Sequence, residues 1–239
     1  MKYSKLRVIL MLIMLTVAVV TEANPPSELK SKARFIQQLE KGEKVKIAAL
    51  GTSLTGTWFY VMKDWLNETY PGQCSFYDLG VGGSASSHPP GKGGLDQVKL
   101  VDQYQPDVVF IEFAINDAFI PYNISVEQSR KNLESIIKTL EGFNPEVEII
   151  LQTMNFVIDV PEKNRTGSSK RIELTKYIKM YRKVARKKKL ILIDNYPNWK
   201  RYLKKQGRDA YIKLVPDGIH PSAEAYRKIM IPEFKKELF

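Results

Sequence analysis

The sequence predicts an α/β fold, a three-layer α/β/α sandwich built around a five-stranded parallel sheet. Short runs of aliphatic residues alternate along the chain with longer segments whose apolar residues recur at helical spacing. Parallel strands need crossover connections, and helical crossovers cover both faces of the sheet, so strands that are apolar throughout fit this arrangement. With 239 residues, of which 44% are hydrophobic, the chain can build one domain of ordinary size.

The predicted strands are short apolar runs bounded by polar or turn residues. They are residues 45–50, 75–79, 108–113, 147–151 and 190–193. The predicted helices are residues 27–41, a segment through Trp58, Met62, Trp65 and Leu66, and residues 94–103, 126–140, 168–188 and 223–238. Ser125 is placed to cap the fourth of these helices with Gln128 at the reciprocal position, and Pro232 is placed to interrupt the last.

The first residues have the pattern of an export signal. A basic start precedes an uncharged apolar run at 8–20, and Thr21-Glu22-Ala23 offers a cleavage site of small residues. We therefore expect a signal peptide at 1–23 and a mature domain at 24–239, secreted or periplasmic. An uncleaved membrane anchor is the alternative, but the run is short of the about 20 apolar residues that a bilayer requires. No later stretch is apolar enough to span a membrane.

The chain is basic, with a formal charge of +11 that falls to about +9 without the predicted signal peptide. Much of the excess lies between Ser168 and Lys189, where Glu173 is the single acid. The cations are Lys170, Arg171, Lys176, Lys179, Arg182, Lys183, Arg186, Lys187, Lys188 and Lys189. This 168–189 helix is either a solvated face or a surface for an anionic polymer or membrane. We expect no nucleic-acid partner.

The sequence holds two histidines, and His220 is the better candidate for acid–base chemistry. It lies in Asp217-Gly218-Ile219-His220-Pro221, where a carboxylate three residues earlier can reach the imidazole. Such an Asp fixes the ring tautomer and stabilises the imidazolium that forms when His accepts a proton. The alternative is a capped turn before the last helix. Together, His88 and His220 are too few for the common histidine-rich zinc sites, and we expect no metal and no cofactor.

The candidate nucleophile is Ser53, which lies between the first strand and the helix that follows. A serine there has a free backbone N–H at the positive end of a helix dipole, which suits a developing oxyanion. The alternative is a plain helix N-cap.

Two further segments follow predicted strands. The glycines of residues 79–84 permit tight backbone geometry, although neither dinucleotide-binding nor triphosphate-binding glycine spacing is present. Residues 113–117 place the Asn116 amide where it can donate to an oxyanion.

These four segments, in this order, resemble the signature blocks of the SGNH hydrolase superfamily, named in part for a Gly-Asp-Ser-Leu motif. The matching segments are Gly51-Thr52-Ser53-Leu54, the glycine turn, Ala114-Ile115-Asn116-Asp117 and Asp217-Gly218-Ile219-His220-Pro221. The likeness spans residues 45 to about 230 and implies the flavodoxin-like fold of that superfamily. Thr52 stands where the family has Asp, and Ala114 stands where it has Gly.

The resemblance implies a role for each matched residue. Ser53 would be the nucleophile of a triad with His220 and Asp217. The N–H groups of Ser53 and Gly83 with the Asn116 amide would form the oxyanion hole. The reaction would be hydrolysis of a carboxylic ester through an acyl-enzyme.

Two segments are candidate specificity loops. Residues 84–93, with His88 and Lys92, are long enough to wall a site at the strand ends, and Phe119 and Tyr122 follow Asn116 closely. The alternative is that both are ordinary surface connections.

Export and positive charge favour a carbohydrate esterase that deacetylates a polysaccharide, including an acidic one. The enzymatic alternatives are a lysophospholipase or thioesterase acting on lipids, and an acyltransferase that moves acetyl groups between sugars. A glycan-binding protein without turnover is the alternative of a different class.

Overall fold

Five parallel strands form the centre of the computed structural model, which describes residues 32–239. In spatial order the sheet is β2-β1-β3-β4-β5, and every neighbouring pair is parallel. The strands are β1 (Val45–Gly51), β2 (Cys74–Asp78), β3 (Val108–Glu112), β4 (Glu148–Thr153) and β5 (Ile191–Asp194). The predicted α/β/α fold and all five predicted strands are confirmed. The predicted signal peptide and the first residues of the predicted first helix lie outside the described residues.

Helices cover both faces of the sheet. They are α1 (Arg34–Glu40), α2 (Thr55–Thr69), α3 (Gly94–Val101), α4 (Ala114–Asp117), α5 (Val126–Phe143), α6 (Leu174–Lys188), α7 (Tyr196–Leu214), α8 (Ala223–Ala225) and α9 (Ile231–Leu238). Helix α5 packs between α3 and α6 in one layer, whereas α2 and α7 contact the C-terminal segment in the other. No helix in the described range combines the length and the apolar character needed to cross a membrane.

Aromatic side chains fill the layer between the sheet and the C-terminal helix. Phe110 of β3 has its ring centroid 5.8 Å from Trp58 of α2 and 5.9 Å from Phe234 of α9. All three are buried. Rings in such pairs stabilise the core beyond the burial of their area, so α2 and α9 are fixed to the central strand.

Helix α7 is an element that the sequence analysis missed. Its buried face is mostly aromatic, with Tyr196, Trp199 and Tyr211, so the aliphatic periodicity that marks the other helices is weak. Gly207, at φ +83°, interrupts it with a non-helical residue.

The basic helix begins later than predicted. Residues 168–173 form turns and α6 starts at Leu174, with the N–H of Arg171 bonded to the Ser168 carbonyl at 2.9 Å. Arg171 is buried rather than part of the solvated basic face that the sequence pattern suggested.

The capping predictions hold in part. Ser125 Oγ accepts from the Gln128 N–H at 3.1 Å, but the Gln128 side chain donates to Asn132 instead of returning to the cap. Before Pro232, residues 226–230 form a π-helical turn. In a regular α-helix the proline ring would clash with a carbonyl of the preceding turn, and the proline nitrogen has no hydrogen to donate to it. The π-helical turn accommodates both effects.

Two buried carboxylates at the carboxyl end of β3 tie down the loops that follow β1 and β2. Glu112 Oε1 accepts from the Thr52 N–H at 2.8 Å, the Thr52 hydroxyl at 2.9 Å and the Thr55 hydroxyl at 2.8 Å. Asp117 accepts from the Ser86 N–H at 2.7 Å and from the Ser129 hydroxyl. Neither carboxylate was singled out from the sequence.

Burial governs the ionisation of both groups. It raises the pKa of Glu112 to about 7, because its hydrogen bonds to Thr52 and Thr55 offset only part of the desolvation and the nearby Asp117 charge adds to it. Burial likewise raises the pKa of Asp117 to about 6.

We predict that replacing Glu112 with Gln flattens the pH dependence of stability. When folding raises the pKa of a carboxyl group, there is a range of pH in which the group is protonated in the folded protein and ionised in the unfolded chain. The free energy of unfolding of the native protein therefore falls as pH rises from about 4.5 to about 7, by about 3 kcal/mol for this group. Urea denaturation at half-unit pH intervals measures the difference, and Asp117 leaves a residual slope of the same sign in the variant.

Replacement of the exposed Glu68 with Gln is the matched control for loss of a carboxylate. Identical pH dependence in Glu112→Gln and the native protein would contradict the prediction.

Candidate active site

The predicted site residues meet at the carboxyl edge of the sheet. Ser53 follows β1, Gly83 lies in the turn after β2, and Asn116 lies in α4 directly after β3. The segment that carries Asp217 and His220 follows α7 and reaches Ser53. Sites in open α/β sheets collect at this edge, because the loops that leave parallel strands converge there.

Ser53, His220 and Asp217 form one hydrogen-bonded chain. Ser53 Oγ lies 2.9 Å from His220 Nε2, and His220 Nδ1 lies 2.6 Å from Asp217 Oδ2. Ser53 makes no side-chain cap for α2, so the plain N-cap alternative does not describe it. The Ser53 and His220 side chains are both exposed, so a substrate has direct access to the reacting atoms.

Hydrogen bonds keep Asp217 ionised. Burial acts to raise the pKa of Asp217, but donation from the His220 backbone and ring and from the Ile219 N–H outweighs it, and the pKa lies below its ordinary value. Oδ1 accepts the two backbone bonds, at 2.7 Å from His220 and 3.0 Å from Ile219. The carboxylate is therefore fixed by its own turn and directs Oδ2 at the imidazole.

The turn between Asp217 and His220 requires glycine. Gly218 has φ +78°, and a Cβ there would run into the carbonyl of Ile158. The Ile158 N–H donates to the Gly218 carbonyl at 3.0 Å, and Asn155 Nδ2 donates to the Ile219 carbonyl at 2.8 Å. The loop after β4 thus holds the turn against the site.

Three N–H donors near Ser53 are available to a ligand. Within residues 32–239, the backbone N–H groups of Ser53 and Gly83 have no hydrogen-bond acceptor. Gly83 has φ +73°, which glycine adopts without strain. Asn116 Nδ2 uses one N–H on the Ser84 carbonyl, at 2.8 Å, and has a second to offer.

The glycine turn is anchored on the end of β1. The Val81 N–H and the Ser84 hydroxyl donate to the Gly51 carbonyl at 3.1 Å and 2.9 Å. The buried Gln97 side chain accepts from the Gly51 N–H at 3.0 Å and donates to Ser84 Oγ at 3.0 Å. This network holds the turn that carries Gly83 against Gly51, at the end of β1 and just before Ser53. Sequence reasoning missed Gln97, because in the sequence it resembles any other polar residue of a helix.

The candidate specificity loops meet in an aromatic cluster. The ring centroids of His88 and Tyr122 are 4.1 Å apart, and those of Phe119 and Tyr122 are 5.0 Å apart. The Tyr122 hydroxyl donates to the Gly83 carbonyl at 2.6 Å, so the cluster adjoins the candidate oxyanion donors. Lys92 does not join it. Its side chain is exposed, and its carbonyl accepts from Gln97.

Sequence reasoning missed the part that two charged residues play at this site, and only Glu112 carried a signal in the sequence. Glu112 is an acid at the end of an otherwise apolar strand, and charged residues are seldom fully buried without a partner or a purpose. Arg171 gave no such signal, because it stands in a run of exposed cations and differs from them only in its tertiary surroundings.

Comparisons with known proteins agree with this fold. A model of the GDSL-like lipase/acylhydrolase family matches residues 47–228. An acetylxylan esterase from Geobacillus stearothermophilus is 20% identical with a TM-score of 0.63, covering 82% of this chain and 94% of its own. An α/β hydrolase from the metagenome of Lake Arreo is 18% identical with a TM-score of 0.63, covering 82% and 95%.

A Parabacteroides merdae protein assigned to the GDSL-like lipases is 18% identical with a TM-score of 0.66, covering 82% of this chain and 96% of its own. No curated protein matches the sequence. At these identities the solved structures establish a shared fold, whereas the family model spans most of the chain. The chain therefore belongs to the GDSL-like lipase/acylhydrolase family of the SGNH hydrolase superfamily, and it is a serine ester hydrolase.

Proposed function

We propose that this hydrolase is an exported carbohydrate esterase in which Ser53 is the nucleophile, His220 the general base and Asp217 the residue that orients His220. The observation that carries the proposal is the continuous chain from Ser53 Oγ through both ring nitrogens to Asp217 Oδ2, at 2.9 Å and 2.6 Å. These separations are those of a nucleophile and base ready for proton transfer.

The geometry supports a two-step acyl transfer. His220 Nε2 takes the Ser53 hydroxyl proton as Oγ bonds to the ester carbonyl carbon, and the carbonyl oxygen becomes an oxyanion held by the N–H groups of Ser53, Gly83 and Asn116. The oxyanion then collapses, the alcohol leaves with the proton from His220, and the acyl group stays on Ser53. Water repeats the sequence, giving the free acid and restoring the serine.

A small acyl group on a carbohydrate is the substrate we propose. The fold is shared with the acetylxylan esterase, and the triad is exposed, which suits an ester that projects from a larger body. The His88, Tyr122 and Phe119 rings supply an aromatic wall for that body beside the candidate oxyanion donors. This assigns roles to three of the four loop residues suggested by the sequence, and Lys92 keeps only its exposed position.

The basic surface supports an anionic polymer as the carbohydrate. A cleft of about 260 Å³ between α6 and α7 is lined by Lys179, Arg182 and Lys200. Arg182 pairs with Asp194 at 2.8 Å, whereas Lys179 and Lys200 have no acidic partner among residues 32–239. Two unpaired cations in a concave surface attract a polyanion and lose that attraction as salt is added.

A lipid esterase is the second candidate, favoured by one apolar feature. A cleft of about 370 Å³ adjoins Asp117 and Phe119, and the side chains of Ile120 and Ile172 at its edge are 52% and 72% exposed. An acyl chain could bury this surface.

Replacing Ser53 with Ala is expected to abolish labelling by a fluorophosphonate probe and to lower kcat on p-nitrophenyl acetate by at least about 10⁴-fold, because the nucleophile is lost. In-gel fluorescence and initial rates measure the two effects. Ser75→Ala removes an exposed serine from β2 and serves as the matched control. Full labelling of Ser53→Ala would exclude Ser53, and an unlabelled, folded native protein would favour the glycan-binding alternative.

The substrate proposal predicts acetate release from acetylated polysaccharides and little turnover of long-chain acyl esters. Acetylated xylan, acetylated pectin and sulfated glycans are compared with lysophospholipids and acyl thioesters at equal ester concentration, and an added sugar acceptor reveals any acyl transfer. Cleavage confined to the lipid and thioester substrates would contradict the carbohydrate proposal.

For the anionic substrates, the double substitution of Lys179 and Lys200 with Glu should lower kcat/KM about tenfold at low salt, and less at high salt. Turnover of p-nitrophenyl acetate should not change. Replacing exposed Lys41 and Lys63 with Glu alters the net charge equally on another part of the surface and is the control.

The export proposal predicts removal of residues 1–23. N-terminal sequencing of protein recovered from the periplasm or medium should begin near Asn24. An intact N-terminus in the membrane fraction would instead identify the segment as an anchor.

A further inference from the structure

Arg171 is a buried cation next to the candidate oxyanion donors. Only 7% of it is exposed, and its Nε donates to the Ile115 carbonyl at 2.8 Å. Its Nη2 donates to Asn116 Oδ1 at 3.1 Å, and Nη1 makes a long contact of 3.4 Å with the Gly167 carbonyl. No carboxylate of residues 32–239 lies within ion-pair distance of it.

Such an arrangement is costly and needs an explanation. Burial lowers the pKa of Arg171, with the charge of Asp217 acting in the opposite direction, but a guanidinium remains charged at neutral pH. A buried cation without a counter-ion is stabilised here by carbonyl groups and by the Phe119 ring, whose centroid lies 4.7 Å from Cζ. Anchoring the 168–173 turns would not by itself require a charge in this position.

The contact with Asn116 explains why a positive charge is useful at position 171. An amide has an acceptor end and a donor end, and the guanidinium can accept nothing, so it accommodates only the acceptor end. Fixing Oδ1 on Arg171 therefore directs Nδ2 towards the Ser84 carbonyl, at the end of the glycine turn that carries Gly83. A cation on the carbonyl end also polarises the amide, which strengthens its N–H groups as donors.

We propose that Arg171 is a positioning residue for the oxyanion hole, acting through Asn116 to orient and polarise the donor that meets the tetrahedral intermediate. The inference rests on the proposed Ser53 mechanism. It assigns a role to a residue that makes no hydrogen bond to Ser53, His220 or Asp217.

The test compares Arg171→Lys, which keeps the charge but loses the planar fork, with Arg171→Gln, which keeps amide donors but loses the charge. The neutral Gln costs less to bury, so this variant should fold even if the Lys variant does not. With p-nitrophenyl acetate, kcat per folded molecule should fall about 10- to 100-fold in Arg171→Gln, and KM should change less than about threefold, because the lost interaction acts in the transition state. Circular dichroism gives the folded fraction.

A double-mutant cycle separates this role from a structural one. In an Asn116→Ala background, Arg171→Gln should lower kcat by less than about twofold, because the group through which it acts is absent. A residue that only maintains the fold would cost the same factor in both backgrounds. Lys170→Gln, which removes the adjacent exposed cation, is the matched control.

An unchanged kcat in folded Arg171→Gln, or equal losses with and without Asn116, would overturn the inference. Ser53→Ala in the same assay keeps the two proposals apart. Turnover that persists without Ser53 rejects the mechanism itself, whereas Ser53-dependent turnover that ignores Arg171 rejects only the positioning role.

Discussion

The hydrogen bonds that converge on one oxygen of Glu112 fix the turn that carries Ser53. Because Glu112 ends β3, and Asn116 follows a few residues later on the same segment, Ser53 and Asn116, the proposed nucleophile and side-chain oxyanion donor, are positioned relative to one strand end. Thr52, which replaces the family's Asp, contributes both its N–H and its hydroxyl to this carboxylate. At the position where the family has Asp, a carboxylate from the neighbouring strand thus braces the turn.

The surrounding loops lack regular structure and depend on buried polar groups for rigidity. Asp117 secures the loop after β2 to α5, Gln97 secures the glycine turn to β1, and Arg171 secures the turn before α6 to α4. Each group is costly to desolvate, and its hydrogen bonds offset much of that cost. These hydrogen bonds fix loops that have no regular backbone pairing of their own, and a catalytic site needs such positioning.

The sequence predicted the sheet and the segments that meet at the candidate site because both leave local patterns. Aliphatic runs mark buried parallel strands, and Asp217 and His220 are close enough in sequence to be recognised as a pair. Helix α7 escaped because its apolar face is aromatic and Gly207 interrupts it. Arg171 escaped for a different reason: a buried and a solvated arginine look alike in sequence, and only the packing of distant segments distinguishes them.

Exposure of the proposed triad limits which substrates the site suits. Ser53 and His220 lie at the surface, and the wall beside them is the cluster of His88, Tyr122 and Phe119. The Tyr122 hydroxyl bonds the Gly83 carbonyl, so this wall and the glycine turn form one connected unit. An open site with one wall gives the proposed small acyl group little enclosure, so under this proposal the affinity comes from the body to which the ester is attached. Contacts remote from the reacting carbonyl can then supply the binding energy that orients it.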